Sequence, residues 1–282
     1  MTDAIAGNPA GADTRIIDPS APQYNARIVR REDETESLAY FWVAFDGEPT
    51  PFEPGQYMTI GVFADGKLVQ RPYSVASSPR TAAEGYEFYV RLVQGGLFTP
   101  LLWRLPVGHG MRMIGPKGKF LLEPEDERMH LFISSGTGNA PFVSMIRTLI
   151  IDGRPRRVVF INGVSYERDL GYRDIVERWA SGEYPIHFEP TVSRPRDPQN
   201  ADWTGRSGRA EAVLGDVLDE HGLTPDNAIA YICGNPDMIL AAEELLLERG
   251  FPEAQVKKEL YWPKGKEPRG ATPADVAANA DE

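Results

Sequence analysis

The rhythm of this sequence changes once, at Met129, and that change limits the folds open to it. Upstream, six short runs at 24–30, 38–45, 56–62, 67–75, 86–93 and 111–114 are rich in Val, Ile, Tyr and Phe. Turn pairs such as Asp46-Gly47 and Asp65-Gly66 separate them, so this half reads as strands with little helix. One exception, 99–105, follows Gly95-Gly96 and reads as a brief helix. Downstream, strand signals at 129–134, 157–162, 186–192 and 228–233 alternate with helix signals at 141–151, 172–180, 209–220 and 236–248. Strand-helix alternation implies a parallel sheet covered on both faces. A last strand at 255–262 would join one edge. The expected fold is therefore a two-domain chain. An N-terminal antiparallel six-stranded β-barrel precedes a C-terminal α/β parallel-sheet domain.

The stretch Gly136-Thr137-Gly138-Asn139-Ala140-Pro141 lies between the first downstream strand and helix. A glycine turn there lets an anionic group approach the backbone and meet a helix N-terminus, and Pro141 suits a first helical turn. The stretch reads as a pyrophosphate seat, with a simple turn as the alternative. A proline stands where the usual dinucleotide fingerprint has its third glycine. Cys233-Gly234-Asn235-Pro236 also ends a strand before a helix. In an open parallel sheet ligands bind at the C-terminal ends of strands, so Cys233 is placed to line the same crevice or to be a plain buried thiol.

Upstream, Arg71-Pro72-Tyr73-Ser74 offers a guanidinium for a pyrophosphate, a flat aromatic face and a hydroxyl for a ring nitrogen. Those groups suit a flavin, and an ordinary strand with an exposed arginine is the alternative. Gly95-Gly96-Leu97-Phe98-Thr99 reads as a second anion seat or as a plain N-cap. Arg194, Arg206 and Arg209 flank a polar, proline-containing insertion and read as phosphate ligands or as a solvated face.

Composition removes several classes. The net charge of −11 over 282 residues argues against broad nucleic-acid binding. A single cysteine, Cys233, excludes an internal disulfide, a structural zinc site and an iron–sulfur cluster held by this chain. His109, His130, His187 and His221 show no metal-ligand spacing, so no metal is expected. No apolar run approaches a membrane span, and the N-terminus lacks a signal-peptide plan, so a cytoplasmic protein is the expectation. Residues 1–21 and 263–282, rich in Ala, Gly, Pro and charged residues, are expected to be a disordered extension and a flexible tail.

Taken in order, these motifs resemble the ferredoxin–NADP(H) reductase family in its bacterial ferredoxin/flavodoxin reductase form, over about 24–262. The resemblance implies an FAD-binding domain at 22–124 and an NADP(H)-binding domain at 125–262. It assigns Arg71, Pro72, Tyr73, Ser74, Val90, Gly95, Gly96, Leu97 and Thr99 to FAD. To NADP it assigns Gly136, Thr137, Gly138, Ala140, Pro141, Cys233, Gly234, Asn235, Pro236 and Met238. Glu259-Leu260-Tyr261 resembles the family's glutamate-x-tyrosine, whose ring covers the flavin, and Trp262 resembles a tryptophan that packs on the FAD adenine. The chain departs from those members in continuing for 20 residues beyond Trp262.

Ser165, Tyr166, Arg194 and Arg206 resemble the residues that hold the 2′-phosphate of NADP. Two charge-assisted bonds at roughly 1.5–3 kcal/mol each would favour NADP over NAD by roughly a hundred- to ten-thousandfold. Glu167 and Asp169 nearby would weaken that preference. The resemblance implies hydride transfer between NADP(H) and FAD, with single electrons passing to a ferredoxin or flavodoxin. Ser74, Cys233, Glu259 and Tyr261 would be the catalytic residues. Arg71, Arg91, Arg104, Arg112, Lys117 and Lys119 would supply a docking patch for that acidic partner. A monomer is expected. The reductase component of an oxygenase is the rival reading, and a non-catalytic binding subunit a more distant one.

Overall fold

The computed structural model describes residues 15–123, 126–182 and 184–260. Tyr261, Trp262, the tail beyond them and the first fourteen residues lie outside the described residues. The chain divides into two compact units. The first comprises residues up to Phe52, Tyr57–Tyr73 and Thr81–Lys117; the second comprises Glu53–Gln56, Ser74–Arg80 and everything from Gly118 onward.

In the first unit six strands form one sheet: β1 (Ala26–Thr35), β2 (Leu38–Phe45), β3 (Tyr57–Ala64), β4 (Lys67–Ser74, whose last residue belongs to the second unit), β5 (Tyr86–Arg91) and β6 (Gly110–Lys117). Their order is β4-β3-β6-β1-β2-β5, and β1 runs antiparallel to β2 with Ala26 opposite Phe45. This is the antiparallel six-stranded architecture expected of this half. The β3–β4 connection turns at Asp65 (φ 50°) and Gly66 (φ 72°). Two consecutive positive φ values twist a two-residue loop in the sense the flanking strands need, and an Asp-Gly pair adopts them at low cost. The brief helix α1 (Thr99–Leu102) is shorter than the sequence suggested.

The second unit holds a parallel sheet of β7 (Met129–Ser135), β8 (Val158–Val164), β9 (Ile186–Val192), β10 (Arg206–Ser207), β11 (Ala228–Cys233) and β12 (Val256–Glu259), in the order β10-β9-β8-β7-β11-β12. Side chains alternate across such strands. Leu131, Ile133, Val159, Ile161, Ala230 and Ile232 turn to one face and pack with α4 (Ala210–Glu220) and α5 (Pro236–Glu248). Phe132, Phe160 and Tyr231 turn to the other, where Phe142 of α2 (Ala140–Ile151) stacks on Phe132 at 4.6 Å. The remaining helix, α3 (Arg173–Ala180), precedes β9. Chain order reverses between β7 and β11, which makes their C-terminal ends the ligand-binding edge of an open parallel sheet.

The opposite end of β7 carries a buried titratable group. His130 is fully buried, lies parallel to Tyr231 at 5.8 Å, and donates from Nδ1 to the Arg128 carbonyl at 2.9 Å. Its Nε2 has no partner among the described residues. Burial lowers its pKa from 6.5 to about 4. The unfolded chain therefore takes up a proton that the folded chain refuses. Stability present above pH 6.5 is lost as the pH falls toward 4, by up to about 3 kcal/mol. Urea titrations at pH 7 and pH 4 check this. His130→Phe should lose about 3 kcal/mol less than the wild type across that interval; equal losses would show that His130 is not buried neutral.

Candidate active site

At the ligand-binding edge of the second unit two loops meet backbone to backbone. Gly136–Asn139 forms a single tight turn after β7, and Cys233-Gly234 ends β11. A Cβ on Gly138 would stand 2.5 Å from the Cys233 carbonyl oxygen and 2.5 Å from Gly234 Cα, so only glycine allows this approach. Gly234 has φ 140°, and the Ser135 hydroxyl beside it accepts from Asn235 N at 2.9 Å. The side chain of Asn235 caps α5, accepting from Asp237 N and Met238 N. Pro236 opens that helix, and Met238 is buried in its first turn. Gly136 has φ 54°, with no atom within 4 Å of where a Cβ would stand. It therefore leaves open space at the glycine turn, beside Thr137 and before Ala140 and Pro141, which begin α2. An open glycine turn before a helix N-terminus fits a pyrophosphate.

Cys233 pairs in register with Glu259 of β12. Both are buried, and the Ser74 hydroxyl donates to Glu259 Oε2 at 3.1 Å. Burial, and then the Glu259 carboxylate, push the Cys233 thiol well above its ordinary value. The group is a protonated thiol, a spacer and weak donor and not a nucleophile. Ser74 belongs to this unit because its segment is fastened along α2. Arg147 donates to the Ala76 carbonyl at 2.9 Å and Ser144 to the Ser77 carbonyl at 2.7 Å. The Ser78 and Thr148 hydroxyls meet at 2.8 Å, and Arg80 pairs with Asp152 at 2.7 Å.

A second cluster forms where β8 and β9 end. Arg194 Nη1 donates to the Tyr166 hydroxyl at 2.6 Å, and the guanidiniums of Arg194 and Arg168 lie 5.3 Å and 5.5 Å from the Tyr166 ring centre. Glu167 points its carboxylate at Arg173, 2.5 Å away, and Asp169 is buried. The two acidic residues expected to oppose a phosphate are thus turned inward or neutralised. Ser165 contributes its carbonyl to Asn200. Arg206 does not join this cluster: it pairs with Glu189 at 3.0 Å and with Glu220, and those carboxylates raise its pKa. Arg209 extends into solvent, 3.9 Å from Glu211.

In the first unit, Arg71 is exposed and donates to the carbonyl of Gln70 at 2.6 Å. The Tyr73 ring lies 5.9 Å from Phe98, and Val90 is buried on β5 opposite Ala39. Gly95 has φ 77° with open space at the Cβ position, Gly96 N donates to Val93, and Leu97 is 59% exposed. The Thr99 hydroxyl does not cap its helix; it accepts from Val93 N at 2.9 Å and fixes the glycine turn. An open glycine turn and an exposed guanidinium fit the phosphates of a flavin nucleotide. Asn139, Arg168, Asn200 and the Ser144–Thr148 face of α2 were not anticipated as site residues. Only Asn139 carried a signal, through its place in the glycine turn.

The oxidoreductase FAD-binding domain family matches residues 25–121. The oxidoreductase NAD-binding domain family matches residues 132–244. Ferredoxin–NADP reductase B of Sorangium cellulosum is 33% identical over 219 residues, spanning 77% of this chain and 88% of that protein. The chain belongs to the ferredoxin–NADP(H) reductase family. As a member of that family it is an oxidoreductase that uses FAD and a nicotinamide dinucleotide. A solved ferredoxin NADP+ reductase from Neisseria gonorrhoeae with bound FAD and NADP superposes with a TM-score of 0.72 at 26% identity, over 83% of this chain and 97% of that one. The reductase component of propane 2-monooxygenase from Rhodococcus jostii is 30% identical over 82% of this chain, which spans only 61% of that longer relative. Among the described residues no helix is long and apolar enough to cross a membrane.

Proposed function

We propose that this chain is a ferredoxin–NADP(+) reductase, exchanging a hydride between NADP(H) and FAD and single electrons between FAD and a ferredoxin or flavodoxin. The observation that carries the reading is the Ser74–Glu259–Cys233 cluster beside the Gly138–Gly234 backbone contact, at the switch point of the parallel sheet. FAD supplies the conversion between two-electron and one-electron chemistry when bound. The chain's own residues bind, orient and exclude water. Gly136, Thr137 and Gly138 seat the nucleotide's pyrophosphate; Tyr166, Arg168 and Arg194 take its 2′-phosphate. Arg71 and the Gly95–Gly96 turn hold the flavin phosphates, and Tyr73 and Val90 hold its ring. Glu259 fixes the Ser74 hydroxyl so that its oxygen lone pairs and proton are oriented before any ring arrives. Cys233 keeps its proton and sets a contact distance.

The exposed Arg71 and Lys117 support an acidic electron-transfer partner, as does the sequence cluster that includes Arg91, Arg104, Arg112 and Lys119. The deciding experiment is to purify the yellow protein, follow its bleaching by NADPH against NADH, and then supply ferredoxin, flavodoxin and an oxygenase component in turn. Rapid bleaching with NADPH and salt-sensitive ferredoxin reduction are the expected results. Exclusive reduction of the oxygenase component would favour the second reading, for which the relationship to propane 2-monooxygenase reductase speaks. A colourless protein that binds no flavin would leave only a binding role.

A further inference from the structure

We propose that Asn200 is a positioning residue for nucleotide choice, acting through Tyr166 and Arg194. Asn200 sits in a short turn, Pro198–Asn200, inside the polar insertion that follows β9, and is 1% exposed. Its Nδ2 donates to the Ser165 carbonyl at 3.0 Å and to the Arg194 carbonyl at 2.9 Å. Its Oδ1 accepts from Glu167 N at 2.8 Å. One amide thus uses three of its bonding positions to join two loops that are 28 residues apart at Tyr166 and Arg194. The backbone on both sides of Tyr166 is held, which fixes its ring within 5.5 Å of both the Arg168 and the Arg194 guanidinium.

Two further contacts complete the frame. Asn139, from the glycine turn, is buried and donates to the Gly171 carbonyl at 3.0 Å, pinning the other end of the Ser165–Gly171 loop. Trp203 packs on Val164, Leu170 and Val192 beneath the turn that carries Asn200. The insertion, whose flanking arginines read from sequence as phosphate ligands or as a solvated face, is therefore a brace. It makes the pair of arginines into a preorganised seat for a phosphomonoester on the ribose of an adenine nucleotide. A buried amide left without partners is costly, so Asn200 resists leaving its three bonds.

This role rests on the reading of Tyr166, Arg168 and Arg194 as the 2′-phosphate seat. The test is calorimetric binding of adenosine 2′,5′-bisphosphate and of AMP to the flavin-loaded protein, beside steady-state kinetics. Asn200→Ala should weaken the bisphosphate about tenfold, leave AMP within about twofold, and raise the NADPH KM without an equal fall in kcat. Asn200→Ser keeps a neutral hydroxyl and loses the full set of three bonds; it should move the same way less strongly and serves if the alanine variant does not fold. In an Arg194→Leu background Asn200→Ala should add less than about twofold. An equal loss for both ligands, no loss for either, or an undiminished loss in the Arg194→Leu background would overturn the role while leaving the flavoenzyme reading intact. A wild type that binds both ligands equally would remove the phosphate seat and the role together, and bleaching by NADPH would still report on the enzyme.

Discussion

Gly138→Ala is expected to lower kcat/KM for the nicotinamide nucleotide at least about a hundredfold and to destabilise the fold by roughly 1–3 kcal/mol. The added methyl meets the Cys233 carbonyl oxygen and carbon and the Gly234 Cα at 2.5–2.8 Å. All three are backbone atoms of a strand end and its turn, so no side chain can swing away. Either the glycine turn lifts off β11 or β11 shifts against β7, and both movements displace the proposed pyrophosphate seat from the Cys233–Glu259 pair. Gly136→Ala separates the two contributions. It meets open space, so its cost to stability is the left-handed backbone alone, about 1–2 kcal/mol, yet its methyl projects into the space proposed for the pyrophosphate. Stopped-flow bleaching and thermal melts of both variants check the pair. A Gly138→Ala protein with wild-type stability and wild-type nucleotide kinetics would mean that the two turns are not packed as described.

Ser74→Ala should lower kcat about a hundredfold with little change in the nucleotide KM, because it removes the hydroxyl proposed to orient the reacting ring and leaves the proposed phosphate seats untouched. Glu259→Gln should act in the same direction more weakly, since a neutral amide still accepts from the Ser74 hydroxyl at 3.1 Å. Residues that act as a unit are not additive. The double variant should therefore be no slower than Ser74→Ala alone, within about threefold. Rapid-mixing measurement of flavin bleaching separates this step from acceptor reduction. Full multiplication of the two single effects would show that Glu259 acts independently of Ser74.

The sequence carried the period of most long strands and helices, but it missed the polar second half of β1, residues 31–35. Strands 38–45, 186–192 and 228–233 and helix 236–248 stand where their apolar spacing put them. It did not carry β10, because Arg206 and Ser207 are a strand only through pairing with Thr191 and Val192. The same holds for side-chain direction. Thr99 stands at the start of a helix, where a hydroxyl suits an anion, but the Gly95–Gly96 turn brings Val93 N within its reach and the hydroxyl is used there. Arg206 reads as a phosphate ligand until Glu189 and Glu220 are seen beside it. Asn200 carries no local signal at all, because its partners lie 6 to 35 residues away. Short-range physics is written in spacing, whereas the choice of hydrogen-bond partner is made only after the sheet has formed.

The fastening of Ser74–Arg80 along α2 bears on how this protein can be dissected. A fragment cut at Gly118, the natural place to excise the nucleotide-binding part, would leave that segment behind. Ser144, Arg147, Thr148 and Asp152 would then form a stripe of donors and acceptors stripped of their strap, on a helix otherwise packed against Phe132. Such a fragment would also lack the partner hydroxyl of Glu259. Autonomy along this chain therefore does not follow the order of residues, and a working excised half would have to carry a grafted copy of 74–80.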